Sequence, residues 1–339
     1  MDLTLNGSLT QVLRIEDDSQ IGHARRTAQK LAESQGFDTV DVGRVGLVVT
    51  ELASNILKHA VHGTIHLRVL PGPSEGVEVL AVDRGPGFDP ARCLPDGFST
   101  RGTQGIGLGA ALRQAQVFDV HTDARGSVVL ARFYPRNSAI EDLRYGVSQH
   151  SLHDDPVCGD LWAVCVRDEK CVALVIDGLG HGPAAEQAAR AGASAFLRHP
   201  TDEPASLLDD MHHAMRGTRG GAVAVAHYDG EHRQLRFNGI GNIGALLVGS
   251  ERPRGLPSHP GIVGLQYRRV ASVAYPDCAG QLLILYSDGL QSRWNLRDYP
   301  GLTFRHPAII AAVLHRDYCR GKDDVTVLVI ALESSHDRT

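Results

Sequence analysis

The sequence predicts an α/β chain, α+β in its detail, folded as two domains, and three observations predict it. Its 339 residues exceed one ordinary core and suit two domains of about 140–190 residues each. The first half alternates strand-like and helix-like periodicity, whereas the second half is dominated by short apolar runs of strand length. Between them Pro135-Arg136-Asn137-Ser138 is polar and proline-bearing, as a connection is. The expected domains are residues 1–136 and 144–339, joined by a linker over 137–143.

In the first half a strand is expected over 8–16, and a helix over 19–35 that begins at Asp18 or Ser19 and stops at Gly36. A second helix covers about 40–61, with Val45, Val49, Leu52, Ala53, Ile56 and Ala60 on one side and Glu51, Asn55, Lys58, His59 and His62 nearly opposite. Strands are expected near 64–70 and 77–83, then a glycine-rich stretch over 84–109, a helix near 110–117 and strands near 118–123 and 127–134. In the second half strands are expected at 144–151, 160–167, 170–177, 221–229, 233–240, 243–249, 281–287 and 324–332. Helices fall near 183–198 and 204–216, the latter with Leu207, Leu208, Met211 and Met215 at core spacing.

Composition narrows the function. Hydrophobic content of 42% and charged content of 22% are those of a globular chain. A net charge of −5 argues against binding nucleic acid, which needs a basic surface to neutralise phosphates. The six cysteines form no Cys-x-x-Cys pair and read as thiols of a reducing compartment. No apolar run approaches the roughly 20 residues needed to span a bilayer, and the N-terminus has no apolar leader. A cytoplasmic protein with no membrane partner is expected.

The polar face of the 40–61 helix is by itself an ordinary solvated face. Two glycine-bearing stretches downstream of it give it a second reading. The apolar strand 77–82 runs into Asp83-Arg84-Gly85-Pro86-Gly87, a carboxylate and two glycines where backbone can approach a ligand. Further on, Gly102-Thr103-Gln104-Gly105-Ile106-Gly107-Leu108-Gly109 leads into a helix and can present backbone N–H groups to phosphate. It is neither a dinucleotide fingerprint nor a Walker loop. In this order, Glu51-Leu52-Ala53-Ser54-Asn55, Asp83-x-Gly85-x-Gly87 and Gly105-x-Gly107-x-Gly109 resemble the Bergerat-type ATPase fold of histidine kinases, gyrases and anti-sigma serine kinases, over about residues 10–134. The short spacing and Asp96-Gly97-Phe98-Ser99-Thr100 are similar to the RsbT-type switch kinases. The resemblance implies a sandwich with helices on one face of a mixed sheet, and ATP with Mg²⁺ as cofactor. It implies Glu51 as the base for an attacking hydroxyl, Asn55 as the Mg²⁺ holder, and Asp83 as acceptor from the adenine amine. Gly85, Gly87, Gly105, Gly107 and Gly109 would shape pocket and lid. Arg101 reads either as a γ-phosphate partner or as a surface arginine.

In the second half, four acidic positions adjoin apolar strands: Gly159-Asp160, Asp177-Gly178-Leu179-Gly180-His181-Gly182, Ser287-Asp288-Gly289 and Asp323-Asp324. Any one Asp-Gly at a strand end marks a turn. Four converging carboxylates would repel one another unless a cation neutralised them, and hard oxygen donors without a Cys or His cluster suit Mg²⁺ or Mn²⁺. With Gly241-Asn242-Ile243 and Thr326, the set resembles the SpoIIE-like metal-dependent serine/threonine phosphatases, in the compact form of the RsbX type, over about 144–333. The resemblance implies an α-β-β-α sandwich with two Mn²⁺ or Mg²⁺. Asp177 would bridge both ions, the Gly178 carbonyl would bind one, Asp288 and Asp323 the other, and Asp160 would hold metal through water. Asp324 stays open as the alternative to Asp323. His181 reads as structural rather than as a general acid, because it falls three residues after Gly178.

Together the resemblances imply a bifunctional regulator of partner switching. Its N-terminal domain would phosphorylate Ser/Thr of a STAS-domain antagonist-type protein, and its C-terminal domain would remove phosphate from a protein partner. The alternative is an N-terminal ATP-dependent binding module without transfer activity, which captures a sigma factor or another regulator or gates the phosphatase.

Overall fold

The computed structural model describes residues 3–7, 9–72, 75–93, 107–136 and 144–333. They divide into two compact units that are not consecutive in sequence: residues 10–143 with 295–316, and residues 1–9 with 144–294 and 317–339. The expected linear division at 137–143 is therefore corrected at two places. Strand β1 (Leu3–Asn6) pairs antiparallel with β8 (Asp160–Arg167) and so belongs to the second unit. Residues 295–316, read from sequence as phosphatase, belong to the first.

The first unit is a five-stranded sheet with helices on one face. Its strands are β2 (Gln11–Ile15), β3 (Gly63–Leu70), β4 (Gly76–Asp83), β5 (Val117–Asp123) and β6 (Gly126–Phe133), in the order β2-β3-β4-β6-β5. Every pairing is antiparallel, where a mixed sheet was expected. Helix α1 (Asp18–Ser34) starts at a capping box, in which the Asp17 carboxylate accepts from Ser19 N and Gln20 N while the Gln20 side chain returns to Asp17 N. Ala24, Ala28 and Ala32 repeat every fourth residue and are fully buried, so α1 can approach α2 (Thr39–Asn55) closely. The core under both helices takes alternate strand residues, among them Ile65, Leu67, Val77, Val79, Ala131 and Phe133. The helix expected over 40–61 stops being α-helical at Asn55 and continues as a π turn, Ile56–Ala60. Short helices α3 (Pro90–Cys93) and α4 (Leu108–Gln114) come after β4.

The opposite face of this sheet carries charge. Arg68 and Arg132, both buried, close on Glu78: Arg68 Nη2 lies 2.7 Å from Oε1, and Arg132 Nη2 lies 2.8 Å from Oε2. Burial alone would push the Glu78 carboxyl up, but the two guanidiniums outweigh it and hold it below the ordinary glutamate range. Residues 295–316 pack on this side of the sheet. Asp119 accepts from the His306 backbone N–H at 2.7 Å and from Arg305 Nη1 at 3.2 Å, the Arg125 guanidinium stacks 3.6 Å from the centre of the Tyr299 ring, and the His66 and His315 rings meet edge to face.

Helix α7 (Pro307–Tyr318) lies mostly in this segment, and all its residues from Pro307 to Leu314 are buried. A helix apolar all round shows no 3.6-residue periodicity, and for that reason it is not read from the sequence. Its first ten residues partition with the first unit and its last two with the second.

The second unit is a sandwich of two sheets. One runs β1-β8-β9-β10-β11-β14, built on β9 (Lys170–Gly178), β10 (Gly221–Asp229) and β11 (Gln234–Ile240), with the short β14 (Ser258–His259) at its edge and β17 (Val273–Tyr275) also on β11. The other runs β13-β12-β18-β19-β7, from β7 (Tyr145–His150), β12 (Gly244–Val248), β13 (Arg254–Gly255), β18 (Leu282–Tyr286) and β19 (Val325–Ala331). A separate ribbon pairs β15 (Gly261–Ile262) with β16 (Gln266–Tyr267). Helices α5 (Pro183–Phe196) and α6 (Pro204–Ala214) cover the first sheet through Ala188, Ala189, Phe196, Leu207, Leu208 and Met211.

Replacing Glu78 by Gln would leave two buried guanidiniums uncompensated, a loss of about 3–5 kcal/mol. Because the folded Glu78 carboxyl titrates below its unfolded value, its contribution is full above the ordinary glutamate range and is lost as pH falls through the lower folded value. Denaturant unfolding of the two proteins across pH 2–7 should converge in acid; a constant difference would remove Glu78 from the ledger.

Candidate active sites

In the first unit, Glu51 and Asn55 stand one turn apart at the end of α2, both half-buried. Burial raises the Glu51 carboxyl, and the Lys58 charge opposes this only in part. The π turn after Asn55 ends at Val61, a β-branched residue held at φ 71. Such widened turns concentrate at functional sites.

Asp83 ends β4 beside this turn. Its Oδ1 accepts from Gly85 N at 2.8 Å and from Ser127 N at 3.2 Å, and Oδ2 is the oxygen left to meet a ligand. Burial raises its carboxyl, against the pull of those two hydrogen bonds and of Arg316 and His59. A Cβ on Gly85 would fall 2.8 Å from Ala60 Cβ, so the glycine lets the Asp83 loop close on the π turn. Gly87, at φ 76, has room for no side chain because Asp123 O would lie 2.4 Å from a Cβ. Gly107 caps α4 and Gly109 is buried in its first turn. Gly105, Arg101 and the segment 96–100 lie outside the described residues.

One contributor was invisible in the sequence. Arg316 donates from Nη1 to the Asp83 carbonyl at 3.2 Å, and the Arg84 side chain donates to the Arg316 carbonyl.

In the second unit, Asp160 and Asp177 are direct cross-strand partners on β8 and β9. Asp288 comes after β18 and Asp323 precedes β19. Burial is the first cause that lifts Asp177 to about 7, and the charges of Asp288, Asp323 and Asp324 add to it. Asp160 is raised well above its ordinary value, by burial first and then by Asp177. Asp323 is raised by burial and by Asp288 and Asp324, while His181 opposes the shift. His181 is exposed, so that influence brings it to the rim of the cluster. Gly178 must be glycine, since a Cβ would meet Ala185 O at 2.3 Å.

Three neighbours hold these carboxylates in place. Ser287 donates from Oγ to Asp160 Oδ2 at 2.6 Å and accepts from Thr326 N at 2.9 Å. Asn242 donates from Nδ2 to Asp288 Oδ2. Asp324 accepts from Leu152 N at 2.7 Å on Oδ1 and from Gly159 N at 2.6 Å on Oδ2. Both Asp324 oxygens are thus taken by backbone, whereas Asp323 faces the other acids. Asn242 and Ser287 lie inside sequence motifs, but their tasks needed the fold to be seen.

No three acidic, histidine or cysteine groups among the described residues close around an ion unaided. Yet mutually repelling, partly buried oxygen donors that resist ionisation are what a hard divalent cation relieves. The residues present fit Mg²⁺ or Mn²⁺.

Fold and sites together define a class: a nucleotide-binding kinase-type module joined to a metal-dependent serine/threonine phosphatase module. Family models match on both sides, the histidine kinase-like ATPase domain over residues 16–133 and stage II sporulation protein E (SpoIIE) over 167–333. The serine/threonine-protein kinase RsbT of Bacillus subtilis is 35% identical over 114 residues, which is 33% of this chain and 86% of RsbT. The chain belongs to the family of that kinase. The phosphoserine phosphatase RsbX of the same organism is 24% identical over 111 residues, 33% of this chain and 54% of RsbX, so the match spans about half of that relative. A chain solved in work on the bacterial stressosome, described as a modular system adapted to control secondary messenger signalling, superposes with a TM-score of 0.51 at 25% identity. It covers 56% of this chain and 99% of its own length.

Asp323→Asn should weaken Mn²⁺ affinity without lowering the melting temperature of the chelated protein. Asp324→Asn should do the opposite, because one backbone N–H loses its acceptor at about 1–3 kcal/mol. Calorimetric Mn²⁺ titration beside thermal melts separates them, and swapped outcomes would exchange the two roles.

Proposed function

We propose that the protein is a bifunctional regulator of a partner-switching pathway. Its first unit binds ATP with Mg²⁺ and phosphorylates a serine or threonine of a STAS-domain antagonist-type protein. Its second unit hydrolyses phosphoserine or phosphothreonine on a protein partner. The observation that carries the phosphatase half is the ring of Asp160, Asp177, Asp288 and Asp323 at four strand ends. The kinase half rests on Glu51 beside Asn55 at the end of α2, with the π turn that follows closing on the Asp83 loop through Ala60 and Gly85, and the RsbT and RsbX likenesses support a shared pathway.

In the kinase reaction Glu51 accepts the proton of the attacking hydroxyl. Its raised carboxyl suits that task, since a general base works best when its pKa approaches the working pH. Asn55 would hold Mg²⁺ against the triphosphate, and Asp83 Oδ2 would accept from the adenine amine. Gly85, Gly87, Gly105, Gly107 and Gly109 form pocket and lid. In the phosphatase reaction two divalent ions supply charge neutralisation and an activated water. Asp177 would serve both ions, the Gly178 carbonyl one, and Asp288 and Asp323 the other, while Asp160 would act through water. Ser287, Asn242 and Asp324 fix these ligands in register. The half-buried, proton-accepting Glu51 favours transfer over the alternative of a pure ATP-dependent binding module, which needs no base. No helix among the described residues is long and apolar enough to cross a membrane.

Asp177→Asn should reduce Mn²⁺-dependent hydrolysis of p-nitrophenyl phosphate to background, and undiminished turnover would refute the metal assignment. Glu51→Gln should bind ATP normally yet fail to transfer labelled phosphate to a STAS-domain substrate. Transfer at the parent rate would make Glu51 a bystander.

A further inference from the structure

The carboxylate ring raises a problem of charge. Two divalent ions balance four carboxylates and leave nothing to offset the dianion of a phosphate monoester. A cation near the ring would offset that charge, and the described residues offer one in the turn between α6 and β10.

Arg219 occupies that turn, Arg216–Gly220, and the turn is tied down on every side. Thr218 donates from N and from Oγ1 to the Met215 carbonyl, at 3.1 Å and 2.6 Å, and its Oγ1 accepts from Gly220 N at 3.0 Å. Gly217 and Gly220 take the left-handed backbone that the turn requires, at φ 82 and 70. The Gly220 carbonyl then accepts from Leu179 N at 2.9 Å, and Gly221 stands directly opposite Gly178 in the sheet. The turn is thus clamped to Asp177-Gly178-Leu179-Gly180, the loop that carries the bridging carboxylate and the metal-binding carbonyl.

The Arg219 side chain is exposed and lies over Gly180: a Cβ built there would come 3.1 Å from Nη1. Gly180 sits at φ 83, and its lack of a side chain leaves this space to the guanidinium. Among the described residues Arg219 has no ion pair and no hydrogen bond. A guanidinium held over the loop that follows Asp177, with no partner among the described residues, keeps its fork of donors for an incoming oxyanion.

We infer that Arg219 binds the substrate's phosphoryl oxygens at the phosphatase site and sets its affinity for phosphate monoesters. The inference rests on the proposed phosphatase activity and adds a residue to it. Arg219 touches substrate and not the ions, so it governs substrate and product binding and leaves metal binding alone. A guanidinium donating to two phosphate oxygens in parallel also orients the ester for in-line attack.

The test uses the full-length protein with Mn²⁺, p-nitrophenyl phosphate as substrate and inorganic phosphate as product inhibitor. Arg219→Ala should raise both KM and the inhibition constant for phosphate about tenfold or more, as loss of a charge-assisted hydrogen bond does. Mn²⁺ affinity and melting temperature should stay at parental values, and Arg219→Lys should recover part of the lost phosphate affinity. Unchanged KM and inhibition constant in an active Arg219→Ala protein would overturn the inference. So would a KM rise that tracks a loss of Mn²⁺ affinity, since Arg219 would then act through the ions. Failure of the phosphatase assignment itself shows separately, as residual activity in Asp177→Asn.

Discussion

Four carboxylates that repel one another are held together at strand ends, and the second unit is organised around keeping them there. Strand pairing sets Asp160 opposite Asp177, and no freedom remains for them to separate without breaking the sheet. Asp324, Ser287 and Asn242 are the counter-measures. One stitches two backbone N–H groups into the site, another fastens Asp160 to the neighbouring sheet through Thr326, and the third turns Asp288. The arrangement raises the acids' proton affinity in the bare protein. The same cost becomes binding energy when a divalent cation arrives.

The first unit meets the burial of charge differently. Glu78 lies between Arg68 and Arg132 on the sheet face away from α1 and α2, and the charges are satisfied within the protein. A buried triad of this kind adds little net stability over an apolar one, but it leaves few alternative ways to pack. The segment 295–316 is specified by that face: its His306 backbone finds Asp119, and its Tyr299 lies under Arg125. At the end of the same segment, Arg316 donates to the Asp83 carbonyl and so supports the backbone that carries the Asp83 side chain.

Much of this was legible in the sequence. Alternation and helical periodicity locate the long strands and α1, α2, α5 and α6, and the Asp-Gly and glycine motifs mark where chemistry collects. What was not legible has physical causes. Helix α7 is apolar on all sides and so carries no periodic signal, and four-residue β1 becomes a strand only because β8 offers it an edge. The π turn that begins at Ile56 brings Ala60 against Gly85, a contact between residues distant in sequence that no local pattern announces. Asp323 and Asp324 are chemically identical neighbours, and only the fold shows that Asp324 is taken up by the Leu152 and Gly159 backbone N–H groups. Arg219 and Arg316 sit in no motif, because what matters about them is the distant loop each one reaches.

The discontinuous make-up of the two units bears on how the chain is born. Residues 10–143 leave the ribosome long before 295–316, so the charged face of the first sheet waits uncovered until most of the protein has been synthesised. Strand β1 precedes its partner β8 by the entire stretch 10–143 of the other unit and waits unpaired while that stretch is made. The first unit cannot finish folding before residue 316 has emerged, nor the second before β19 has. A product truncated before residue 295 would lack part of each unit.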